Sequence, residues 1–183
     1  MITVDLILQQ KFGIKPRFVE KEDSVFILNL RTDLRLNRHI STTVNDLKQQ
    51  ETWIEKYKER ELQKQEFYFI FENDKKTQFG VNRLYNFDTV SFEIGSWLFS
   101  LQSPEGVSIL ADLYARDFAF QNFPSMEYCR FEVRKENKSV VNYHKRFNPT
   151  LVKEDKDNYY FELSKNDYKT FRNVIIKIYC NGY

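Results

Sequence analysis

The chain has 183 residues, which favours one domain spanning residues 1–183 with a core able to bury roughly two-thirds of the unfolded surface. An aromatic content of 16% excludes disorder, and 28 Lys and Arg against 26 Asp and Glu leave a net +2, too little for sequence-independent nucleic-acid binding. Five glycines, where average usage gives about 13, argue against a glycine-rich dinucleotide cradle.

Residues 3–12 carry Val4, Leu6, Ile7 and Leu8 and stop at Gly13, as a capped helix does. Residues 15–20 read as a first strand. Residues 22–30 read as a helix, with acidic residues at its positive end. Residues 31–41, RTDLRLNRHIS, are polar and irregular. A long helix follows over 43–62, with Thr43 or Asn45 as its cap and Leu47, Trp53, Ile54 and Tyr57 as its apolar stripe. The period then changes: EFYFIFE, residues 66–72, is the near-continuous apolar run of a buried strand. Two further strands span 77–85 and 90–99. A helix over 104–123 opens on Pro104, with Val107, Leu110, Tyr114 and Phe118 at helical spacing. A strand at 128–133 points Arg130 and Glu132 outward; a helix (137–147), a closing hairpin (150–153 and 159–163) and a last helix (165–178) complete the chain. The order implies a mixed α/β fold with an antiparallel first half and crossover helices in the second.

Cys129 and Cys180 lie too far apart for a disulfide framework, and Cys129 reads as a buried structural thiol. His39 and His144 have no ligand spacing, so no metal is expected. No leader pattern and no membrane-spanning apolar run is present, which gives the expectation of a cytoplasmic protein. The exposed share of 17 Phe and 11 Tyr leaves a homodimer open without assigning an interface.

A strand ending near Phe99, a loop with one glycine, and a long helix form a device whose free N–H groups suit a phosphate. The strand itself reads Glu93-Ile94-Gly95-Ser96-Trp97-Leu98, the loop holds Gly106 and Ser108, and RKENKSVVNYHKRFNP follows the next strand. In this order and spacing the segments resemble the GNAT superfamily of acyl-CoA N-acyltransferases. The branch concerned includes ribosomal-protein and sugar-modifying enzymes. The resemblance implies a mostly antiparallel seven-stranded sheet whose central strands splay, flanked by helices, with acetyl-CoA in the gap. It assigns the pantetheine to Trp97, Leu98 and Phe99, the pyrophosphate to the loop with Ser103, Gly106, Val107 and Ser108, and the CoA arm to Asn137. Asn137 also suits a helix N-cap. Three departures fall on the family pattern: Ser103 replaces an Arg or Gln, Ser108 a Gly or Ala, and Asn148 a Gly. Glu105 adds a negative charge beside the expected phosphate.

By the same resemblance an amine attacks the thioester directly. Glu93 takes the place of the base, and His144 that of the acid which protonates the sulfur, as an imidazolium; the adjacent Tyr143 is its rival. On the acceptor side the resemblance implicates Arg31, Asn37 and His39 in the irregular segment, with Arg83 and Tyr85 on the strand GVNRLYNF. Arginines suit a diphosphate. The expected acceptor is therefore a nucleotide-linked aminosugar of surface-polysaccharide synthesis. The alternatives are a protein or peptide N-terminus, or a non-catalytic binding module.

Overall fold

The computed structural model describes residues 3–179. Helix α1 (Val4–Phe12) starts where the Thr3 hydroxyl accepts the Leu6 N–H at 3.3 Å and ends at Gly13, whose φ is 63°. Strand β1 (Ile14–Phe18) follows, then α2 (Ser24–Thr32). A short 3-10 turn, Asn37–His39, interrupts the irregular segment. Helix α3 (Leu47–Leu62) begins later than the sequence implied. Its cap is Asp46, which accepts the Gln49 N–H at 3.0 Å; Thr43 is occupied instead by Arg31 Nε at 2.7 Å. Strands β2 (Phe67–Asn73), β3 (Gln78–Tyr85) and β4 (Ser91–Phe99) come next. Helix α4 (Val107–Asn122) also starts late: Pro104 lies in the turn before it, where its carbonyl accepts the Val107 N–H at 3.2 Å. The chain continues through β5 (Tyr128–Arg134), α5 (Lys138–Lys145), β6 (Thr150–Glu154), β7 (Asn158–Ser164) and α6 (Lys165–Tyr179).

The seven strands form one sheet in the order β1-β2-β3-β4-β5-β7-β6. All its neighbours are antiparallel except β4 and β5. The sheet is therefore mixed and mostly antiparallel, as the resemblance implied. Helices cover both faces. On one, α1, α4, α5 and α6 pack on Phe67, Phe69, Phe71, Leu84 and Phe131. On the other, α2 and α3 bring Ile27, Leu30, Ile54 and Tyr57 onto Tyr68, Ile70, Val81 and Leu98. This explains the run in β2. Alternate residues of a strand point to opposite faces, so a strand covered on both sides is apolar throughout. Cys129 is fully buried in the first cluster, as expected; Cys180 lies outside the described residues. No described helix is long and apolar enough to cross a membrane.

Candidate active site

Parallel pairing of β4 with β5 is brief: Ser91 with Tyr128, Phe92 with Cys129, Glu93 with Arg130. Beyond Glu93 the strands part. β4 stays with β3, and β5 stays with β7 out to Arg134. A bulge sits where they diverge: Ser96 and Trp97 face Asn82 alone, and Ser96 takes a φ of 48°. The extra residue bends the strand and raises its twist.

The parting opens a cavity of ≈170 Å³, walled by Trp97, Leu98, Phe131, Asn137, Val140, Asp112 and His144. A larger one, ≈660 Å³, opens on the α2–α3 face between Arg31, His39, Trp53, Tyr68, Arg83 and Tyr85. The two share His39, Ile40, Ile94, Gly95, Ser96, Glu132 and Arg134, and so meet where β4 leaves β5. Gly95 at this junction is crowded: a Cβ there would lie 2.9 Å from the Tyr85 hydroxyl, and the Tyr85 ring would have to shift to admit it.

The larger cavity is cationic and aromatic. Arg83 stacks between Trp53 (4.9 Å) and Tyr85 (4.5 Å), while its Nε donates to the buried Glu66 at 2.5 Å. Glu66 also accepts from Arg60 Nε at 2.6 Å. Arg31 donates to Thr43 and, at 3.2 Å, to Ser41. Burial pushes the Tyr68 hydroxyl up to about 12, against the pull of the Arg31 and Arg83 charges. Tyr85 also rises to about 12, by burial first and then by the facing Glu93 carboxylate.

The smaller cavity has a buried polar floor. Arg116 is fully buried and reaches Asp112 through Nε (2.9 Å), Cys129 Sγ through Nη1 (3.1 Å) and His144 Nδ1 through Nη2 (3.5 Å). The Tyr143 hydroxyl donates to Asp112 at 2.7 Å. Burial above all, with Arg116 adding to it and Asp112 opposing, pushes His144 down to about 3.

The expected site residues divide accordingly. Trp97, Leu98, Asn137 and His144 line the smaller cavity. Asn137 is at once the N-cap of α5, accepting the Val140 N–H at 3.4 Å. Phe99 does not line it; its ring packs on Phe71, with centroids 5.6 Å apart. Ser103, Gly106, Val107 and Ser108 also lie outside both cavities. Ser103 Oγ ties the loop to the Phe79 carbonyl at 2.9 Å, Gly106 precedes α4 with a φ of 87°, Val107 is buried, and the Ser108 carbonyl accepts Trp97 Nε1–H at 2.9 Å. No side chain caps α4 at its start. Arg31, His39, Arg83 and Tyr85 line the larger cavity, but Asn37 does not.

The geometry bears on three expectations about the chemistry. His144 is buried and neutral, so it is no imidazolium near pH 7. Tyr143 has its hydroxyl committed to Asp112 and lines neither cavity. Glu93 lies in the stretch where β4 and β5 are still paired, outside both cavities. The carboxylate that does line both is Glu132, an outward charge in the sequence and free of hydrogen bonds and ion pairs among the described residues. Asp112 and Arg116 were also missed. Their signal was a charged pair one helical turn apart amid Leu110, Ala111, Leu113, Ala115 and Ala119. The described residues hold no group of three or more metal-ligating side chains.

Known proteins resemble this chain in sequence and fold. An acetyltransferase (GNAT) domain model matches residues 17–148. Apo FdhC, described as a nucleotide-linked sugar GNAT, is 32% identical over 91% of this chain and 92% of its own, with a TM-score of 0.77. Two others share the fold at lower identity. Spermidine N-acetyltransferase from Vibrio cholerae, solved with CoA and spermine, is 18% identical over 86% of this chain and 98% of its own (TM-score 0.69). A ribosomal-protein alanine acetyltransferase from Vibrio fischeri is 15% identical over 85% and 95% (TM-score 0.72). No curated protein sequence matches the chain. The domain model covers most of the sheet, including the stretch where β4 and β5 part, and on that ground this chain belongs to the GNAT superfamily and is an N-acetyltransferase.

Proposed function

We propose that the chain, acting as one domain, transfers the acetyl group of acetyl-CoA to the primary amine of a nucleotide-linked aminosugar. The thioester occupies the gap between β4 and β5, and the sugar nucleotide the larger cavity. One observation carries this reading: the larger cavity is walled by Arg31, Arg83 and Arg134 and joins the smaller one at Gly95 and Ser96. Its carboxylates are Asp46 and Glu132. A polyamine acceptor needs the opposite balance, since like charges repel. A diphosphate is matched by guanidinium forks, and the Trp53 and Tyr85 rings offer faces to a base or a sugar. The volume, ≈660 Å³, falls within the range of small-molecule sites.

The chemistry follows from what meets at the junction. The amine nitrogen attacks the thioester carbon, the carbon–sulfur bond breaks, and CoA leaves as its thiolate. Glu132, at the wall shared by both cavities, takes the ammonium proton directly or through one water. His144 faces the donor side. Thiol release from acetyl-CoA tests the reading, with amino-sugar nucleotides, spermidine and an alanine-ended peptide as acceptors. Turnover on the sugar nucleotides is expected. Turnover on spermidine or the peptide alone would overturn it, and no rise in melting temperature with acetyl-CoA would point to a binding module.

A further inference from the structure

Arg116 is an expensive residue to place at the centre of α4. It is fully exposed to no solvent, and a guanidinium taken out of water loses several kcal/mol of hydration unless it is paired. Asp112 balances its charge through Nε. That pairing leaves both terminal nitrogens for other work. Nη1 reaches Cys129 Sγ at 3.1 Å and Nη2 faces His144 Nδ1 at 3.5 Å. The plane of the guanidinium is held by Phe131, 4.9 Å away, and Phe147, 5.8 Å away.

A guanidinium has five donors and no acceptor. The imidazole nitrogen it faces must therefore present a lone pair, so Nδ1 is bare and the ring's one proton sits on Nε2. Among the described residues Nε2 has no hydrogen-bond partner and it is not enclosed, so it opens on the cavity that the ring lines. A second proton on the ring would set two cations against each other in a site almost closed to water. The charged and titratable groups around the ring are Arg116 and Asp112 from α4, Tyr143 from its own helix and, behind Arg116, Cys129 from β5. Trp97 of β4 and Phe131 of β5 supply uncharged rings at 5.8 and 4.3 Å. The buried negative group, Asp112, is already engaged by Arg116 and Tyr143, while Glu132 and Arg134 of β5 and His39 line the cavity on which the ring opens.

We propose that Arg116 is a positioning residue that fixes His144 as the neutral Nε2–H tautomer, so that the ring meets the thioester as a hydrogen-bond donor and not as an acid. This rests on the reading that the thioester lies in the gap between β4 and β5. A neutral imidazole that gave up its proton would become an imidazolate, far less stable than a thiolate. The proton therefore stays on Nε2 and stabilises the negative charge that develops as the carbon–sulfur bond breaks. A preorganised donor in a dry site can supply a large share of such a barrier change.

The test reads the tautomer in the folded protein first. Long-range proton–nitrogen correlation spectra of the unliganded, 15N-histidine-labelled protein are taken from pH 5 to pH 8, with His39→Gln to assign the two rings. The expected result is a neutral His144 with its proton on Nε2 and no midpoint in that range. A proton on Nδ1, or a midpoint near the ordinary histidine value, would overturn the proposal without any variant. Arg116→Met should then release the ring to mixed tautomers or an ordinary midpoint. It should also lower kcat by about 100-fold, the scale set by loss of one preorganised donor, with the KM for acetyl-CoA little changed. Arg116→Lys, a donor-only cation, should keep the tautomer and restore part of kcat. Should Arg116→Met not fold, the pair Arg116→Met with Asp112→Asn removes both buried charges together and reads the same spectrum. Unchanged kcat with a released ring would also overturn the proposal. The two readings fail separately: the spectrum of the unliganded protein judges the tautomer, and acetyl-CoA binding judges the site.

Discussion

Burial of His144 as a neutral ring ties folding to pH in a calculable way. The folded ring has its pKa pushed down to about 3, against 6.5 for an ordinary histidine. Between those values the unfolded chain holds a proton that the folded chain does not. Acid therefore favours unfolding, and this contribution to stability is lost as pH falls from about 6.5 toward about 3. The slope reaches at most about 1.4 kcal/mol per pH unit. From pH 6 to pH 4 the integrated loss is about 2 kcal/mol, a sizeable part of a domain stability of roughly 5–15 kcal/mol. Urea unfolding at the two pH values measures it, followed by tryptophan fluorescence; the Trp97 ring lies 5.8 Å from His144. The control is His144→Asn, which offers Arg116 an acceptor that does not titrate. Carboxylates titrate in both proteins and cancel in the difference. The variant should be the less stable at pH 6, yet lose about 2 kcal/mol less than the wild type on going to pH 4. Equal losses in the two proteins would refute the reasoning.

Two further outcomes test the site and the strands that hold it. Glu132→Gln should lower kcat/KM for the amine by about 100-fold, most at low pH where the amine is protonated, while Glu93→Gln should change it by less than about threefold; the reverse order in a pH-rate series would return the base role to Glu93. Gly80→Ala should cost about 1–3 kcal/mol in urea unfolding, because the new Cβ meets the Phe99 ring and lies 2.6 Å from the Leu98 carbonyl oxygen; an unchanged midpoint would show that β4 yields there.

What the sequence made legible was local. The helix ends at Thr3, Gly13 and Asn137 carry their own capping chemistry, and β2 announces its double burial by its unbroken apolar run. The two late helix starts show where local signals compete. Thr43 and Pro104 both suit a first turn, but Thr43 bonds Arg31 and Pro104 closes a turn ahead of Gly106. Arg31, Arg83, Tyr85 and His39 were named through a motif order that resembles a family, and all four line the larger cavity. Glu93 and Glu132 show the limit of that route. Both are strand carboxylates in apolar-flanked strands, and only the point at which β4 and β5 part decides which of them faces a cavity.

The buried floor of the smaller cavity was out of reach for a different reason. Asp112 and Arg116 stand at i and i+4 on α4, the spacing of an ordinary pair on a solvated helix face. Here both are buried, because α4 is enclosed by the sheet on one side and approached by α1, α5 and α6 on others. The partners that satisfy them, Cys129, Tyr143 and His144, come from β5 and α5, up to 31 residues away along the chain. Such a network is costly when half satisfied, so each member constrains the rest. Neutralising Asp112 alone would leave a buried cation; removing Arg116 alone would leave Asp112 with Tyr143 as its partner and free the His144 ring. The same enclosure that hid these residues from a periodicity argument also deprives His144 of its charge. The identity of a side chain and its neighbours in sequence do not fix its protonation state; the groups that face it across the fold do.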